Sequence, residues 1–78
     1  MANEPNRRLE IAEATTATFA RFELEDTWAN RIAFLYGILI CDLADDALTV
    51  EATKYRMALL EEIKFCEDAQ KFTADLLK

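Results

Sequence analysis

Seventy-eight residues allow a single domain, 1–78, and a hydrophobic content of 53% marks it as folded rather than disordered. Fifteen acids against nine bases give a formal charge of −6, which argues against direct nucleic-acid binding, because phosphate contacts need clustered Lys and Arg. The chain has no His and no Ser, one Gly and two Cys. That composition excludes the usual zinc sites, Ser-His and Cys-His nucleophiles, a glycine-rich phosphate loop and more than one internal disulfide.

The first predicted helix covers about residues 5–24. Pro5 suits a first turn and Asn3 is a candidate cap. Ala12, Thr15, Phe19 and Phe22 fall at the three-four spacing of one helix stripe. The run Ala14-Thr15-Thr16-Ala17-Thr18 is small-sided and permits close approach by a neighbour. A break follows at Glu25-Asp26-Thr27, where Asp26 or Thr27 caps the next helix.

The second helix covers about residues 27–46. Its centre, Ile32 to Cys41, is ten residues without a charge. A helix apolar on every side must be covered on every side. Yet this run is far short of the roughly 20 residues that span a bilayer. Trp28, Ile32, Leu35, Leu39 and Leu43 form a bulky face, while Ala29, Ala33, Gly37 and Cys41 recur every four residues as a groove of small side chains. The two faces are expected to pack against different helices.

Asp45-Asp46-Ala47-Leu48 gives a turn, and Thr49 caps a third helix over about residues 50–77, with Glu51 in its first turn. Tyr55, Leu59, Ile63, Cys66, Thr73 and Leu77 share one face, widened by Ala58, Phe65, Ala69, Phe72 and Leu76. Antiparallel registration sets Phe22 beside Trp28, Thr15 near Leu35 and Arg8 near Asp42. It also sets Tyr55 near Ile40, Leu59 near Tyr36, Ile63 near Ile32 and Cys66 near Ala29. The second helix then runs out near Cys66, and the last turns of the third extend past the bundle.

The expected fold is therefore all-α, a three-helix antiparallel bundle with a long C-terminal helix, completed by homodimerisation. So short a chain makes only a small core, and oligomerisation is the remaining way to extend it. Phe65, Phe72, Leu76 and Leu77 are the candidate oligomer interface, since large apolar side chains on an uncovered helix end mark a contact. Cys41 and Cys66 read as structural thiols, each embedded in an apolar helix face and too far apart to pair. Trp28, Tyr36 and Tyr55 read as core or dimer residues. Glu62 and Arg31 interrupt apolar faces and call for a buried ion pair or a rim position.

Glu10 and Glu13, Glu23 and Asp26, and Asp42 and Asp45 each place two acids on one helix face. The first two pairs resemble the paired acidic motifs of all-α nucleotide pyrophosphohydrolases, and that resemblance implies oxygen ligation of Mg²⁺. The pairs stand too close together for that family's pattern, and no basic or Asn residue completes a phosphate site. Solvated helix faces are the reading adopted, with no metal, cofactor or catalytic residue. The expected function is that of a small acidic non-catalytic protein-binding module that modulates or inhibits a partner with a basic surface. Small self-associating helical proteins of this type include inhibitors from phages and mobile elements. Asp42, Asp45, Asp46 and Glu51 are the candidate partner-binding residues, because acids clustered at an exposed turn steer association. The alternatives are a small-molecule or nucleotide-binding helical bundle and a structural assembly subunit. A cytoplasmic protein is expected, since no apolar region follows the N-terminus as in a signal peptide and nothing spans a membrane.

Overall fold

The structure, a computed structural model, describes residues 6–44 and 49–77. It is all-helical: α1 (Arg7–Arg21), α2 (Trp28–Ala44) and α3 (Val50–Leu76), with no strand among the described residues. Pro5, Asn3, Asp45 and Asp46 lie outside those residues.

Each helix starts on a side chain that satisfies an otherwise unpaired N–H. Asn6, rather than Asn3, caps α1, its side-chain oxygen accepting from the Leu9 N–H at 3.2 Å. The Thr27 hydroxyl accepts from the Asn30 N–H at 3.1 Å, and Thr49 accepts from the Ala52 N–H at 3.0 Å. Thr49 is the cap expected for α3, and of the two candidates for α2, Asp26 and Thr27, it is Thr27 that caps.

The stop of α1 comes three residues before the expected boundary, and it is made without glycine. Glu23 adopts φ 53°, the Glu23 N–H bonds the Ala20 carbonyl at 3.2 Å, and the Leu24 N–H bonds the Phe19 carbonyl at 2.8 Å. That pair of reversed bonds is a Schellman ending, which normally places Gly at the left-handed position. The first two helices are thus separate.

α3 is the organising element. Both α1 and α2 pack on it, and they meet each other much less. The core joins Ile11 of α1, Leu35 and Leu39 of α2, and Ala58, Leu59, Ile63 and Cys66 of α3. Phe19 is buried and meets Phe34 edge-on, with ring centroids 5.5 Å apart. Thr15 is buried but satisfied, its hydroxyl donating to the Ile11 carbonyl at 2.8 Å. Along α2, Asp42 bonds Arg56 at 2.6 Å and Trp28 meets the Phe65 ring edge-on at 6.3 Å.

The expected placement of α1 is corrected. Arg8 does not approach Asp42. It bonds Glu62 of α3 at 2.8 Å and lies 4.6 Å over the Phe65 ring, while Arg7 bonds Glu51 at 2.7 Å. The reason is electrostatic. Glu62 is a buried acid on α3 and needs a cation, whereas Asp42 already has Arg56.

Candidate interaction surface

With Arg31 and Asp42 the only charges on α2, and both turned inward, three regions of surface stand out. The first is the end of α3. Beyond Cys66 its core-facing stripe continues without cover, and Phe72, Leu76 and Leu77 are 65%, 68% and 83% exposed. Phe65 is half-exposed and already holds Trp28 and Arg8, so it forms the shoulder of this patch.

The second is the outer face of α2. Ala29, Ala33, Tyr36, Gly37, Ile40, Cys41 and Leu43 are all exposed. This corrects three expectations: the small-residue groove packs against no helix of its own chain, Leu43 leaves the bulky face, and Cys41 is not embedded. α3 covers only the Leu35–Leu39 side, and α1, drawn onto α3 by Glu62, leaves the other side open. A Cβ built on Gly37 would meet nothing within 4 Å. Tyr36 and Tyr55 are exposed as well, and only Trp28 of the three residues in question packs against the core.

The third is acidic. Asp42 and Glu51 are held by Arg56 and Arg7; Asp45 and Asp46 lie outside the described residues. Asp42 is neutralised, but by Arg56 rather than Arg8, and the Arg56 guanidinium also donates to the Asp42 carbonyl at 3.0 Å. Of the paired acids, Asp26 is engaged by Arg31 at 2.6 and 2.9 Å, and Arg31 also donates to the Thr16 hydroxyl. The Arg31 hydrogen bond holds the Asp26 carboxyl below the usual carboxylate range. Among the described residues no group of three or more acids and cysteines gathers as a metal site.

Two further ionisable groups are perturbed. Burial first, and then the neighbouring Glu62 carboxylate at 3.5 Å, push the Cys66 thiol up to about 11. The Glu67 carboxylate, accepting from the Tyr36 hydroxyl at 3.3 Å, raises the Tyr36 pKa. Neither arrangement activates a nucleophile. A thiol held neutral is inert, and Cys41 is free and exposed.

A groove of about 290 Å³ between α1 and α2 is floored by Ile11, Thr15, Phe34 and Ile38, with Arg7 and Tyr55 at its rim. A second, of about 560 Å³, lies beside Trp28, Arg31, Glu62 and Phe65, where Arg31 is already paired with Asp26 and Glu62 with Arg8. Among the described residues no helix is long and apolar enough to cross a membrane. No protein family, no curated relative and no solved structure matches this chain.

The sequence pattern had marked the α3 end and the need to pair Glu62 and Arg31. It missed the Arg8–Glu62 and Arg56–Asp42 pairs and the openness of the α2 outer face. The one signal for that face was that both charges of α2, Arg31 and Asp42, fall on the side of Leu35 and Leu39.

Proposed function

We propose that this chain is a small acidic, non-catalytic protein-binding module, an antiparallel three-helix bundle completed by a second copy, that modulates or inhibits a partner protein. One observation carries the reading. Among the described residues fourteen large apolar side chains are exposed, whereas the buried apolar core has eight members. A protein with more bulky apolar side chains outside than inside is built for contact with other surfaces. The charge of −6 selects a basic partner and steers it, acting mostly on the association rate. Phe72, Leu76 and Leu77, with Phe65, serve the self-contact. Asp45 and Asp46 serve the partner, with Asp42 and Glu51 held back by Arg56 and Arg7.

The test is affinity capture from a bacterial lysate over a salt series, followed by association kinetics of the captured protein. Asp45→Asn with Asp46→Asn should slow association several-fold at low salt, flatten its salt dependence and leave the helical signal intact. Unchanged low-salt rates in that variant reject Asp45 and Asp46 as partner-binding residues. Capture of nothing beyond what an acidic helical control retains rejects the module reading itself.

A further inference from the structure

We propose that α1 is an exchangeable helix. The connector between α1 and α2 straightens, and α1 of each copy takes the seat on α3 of the other, giving a two-fold, domain-swapped dimer. The inference concerns a second copy but does not depend on the α3-end contact proposed above.

The connector is the starting point. Phe22-Glu23-Leu24-Glu25-Asp26-Thr27 holds neither of the chain's helix breakers, Pro5 and Gly37. Leu and Glu are strong helix formers. Yet the reversal between α1 and α2 sets Glu23 at φ 53°, a left-handed conformation that is costly for a residue with a Cβ. Nor does the turn bury its apolar side chains, since Phe22 and Leu24 are 63% and 50% exposed. A short hinge whose sequence favours helix but which is bent through a strained residue invites exchange. Straightened, residues 7–44 form one helix, about 57 Å long at 1.5 Å per residue.

The occupant is specified by a fit that the chain already displays. Arg7 bonds Glu51 at 2.7 Å, Arg8 bonds Glu62 at 2.8 Å, and the Phe19 ring meets Phe34 at 5.5 Å. Ile11 joins the core of α2 and α3. All of these contacts link α1 to residues beyond the connector, and a second copy's α1 supplies every one of them unchanged. Straightening gives up the Thr27 cap and the Asn30 side-chain bond to the Glu25 carbonyl at 2.8 Å, and it loosens the Asp26–Arg31 pair. In return the last carbonyls of α1 and the first N–H groups of α2 pair within one helix, and Glu23 leaves its strained conformation. Because α1 of one copy ends where α2 of the other begins, the two connectors lie side by side at the two-fold axis. Phe22 and Leu24 cover one another there. Glu23 and Glu25 of both copies also meet there, so the dimer should tighten as salt is added.

The experiment is sedimentation equilibrium from micromolar to millimolar concentration, after unfolding and refolding so that exchange equilibrates. Glu23→Gly eases the closed turn and weakens the straight helix in both copies, so it should weaken dimerisation about 100-fold. Thr27→Ala removes the cap that only the closed form uses, and it should strengthen dimerisation about 10-fold. Phe72→Asp with Leu76→Asp should leave the exchanged dimer in place. The second readout is cross-linking of Arg7→Cys with Glu51→Cys, in a Cys41→Ser background, by a short bismaleimide. An exchanged dimer gives a covalent two-chain band on a denaturing gel, whereas an α1 seated on its own α3 gives a cross-linked single chain. A dimer whose cross-links stay within single chains, or a Glu23→Gly variant that dimerises like the wild type, overturns the exchange and leaves the α3 contact standing. A wild type that is monomeric over the whole range overturns both.

Discussion

Arg8→Ala is the substitution that bears most directly on how α1 is held. The Glu62 side chain is 1% exposed, and its partners are the Arg8 guanidinium at 2.8 Å and the Cys66 thiol at 3.5 Å. Deleting Arg8 leaves a buried carboxylate whose remaining hydrogen-bond partner among the described residues is a weak thiol donor. Removing one member of a buried pair typically costs about 3–5 kcal/mol, and loss of the Arg8 contact with the Phe65 ring adds about 0.5–1 kcal/mol. A chain of this length has a total stability of only about 4–12 kcal/mol, so the variant should be near the edge of folding.

The loss is not the same as the worth of the pair. Arg8→Met with Glu62→Leu removes both charges and keeps apolar volume, and it should come within about 1 kcal/mol of wild type or exceed it. Urea titration followed by circular dichroism at pH 7 measures all three chains. A loss below about 1 kcal/mol for Arg8→Ala at pH 7, or a double variant as unstable as the single one, would refute the view that this pair seats α1 on α3.

Two further predictions concern single residues. The Cys66 thiol is raised from 9.0 to about 11, so the unfolded chain gives up this proton first and stability should fall as pH rises from about 9 to 11. The difference between wild type and Cys66→Ala should therefore shrink by about 2–3 kcal/mol over that interval in alkaline denaturant titrations, and a constant difference would contradict a buried neutral thiol. At the end of α1, Glu23 holds φ 53°, a backbone region open to Gly at little cost. Glu23→Gly should raise stability by about 0.5–1 kcal/mol in the same assay, and a loss would mean that Glu23 contributes something beyond its backbone.

The helices were legible because their signals are local. Thr27 and Thr49 precede their helices as caps, and Leu35 and Leu39 repeat at helical spacing. Of the expected α1 stripe Thr15 and Phe19 are buried, but Ile11 rather than Ala12 joins the core, and Phe22 is exposed because α1 ends at Arg21. The uncovered end of α3 was legible from length alone, since α3 outlasts anything that lies beside it. The seating of α1 was not. Its stripe would fit α2 as well as α3, and what decides is that Glu62 is buried and must meet a cation, a condition set by the whole fold. Cys41 and Gly37 were misplaced for a related reason. An all-apolar helix has no polar face to say which side looks outward, so periodicity could not tell the covered half of α2 from the open half.

The charges sort into two kinds of surface. Four of the five arginines are spent on Glu51, Glu62, Asp26 and Asp42, three of these pairs linking residues far apart in the sequence. Each such pair fixes a helix and at the same time removes a cation from the outside. The exposed acids that remain, among them Glu10, Glu13, Glu25 and Glu61, therefore dominate the field around the molecule. Against that field one long strip is neutral, the outer face of α2. Under the proposed function, contacts between copies and contacts with a basic partner should respond to salt in opposite senses: added salt would relieve the repulsion between copies, while it would screen the attraction that guides a basic partner.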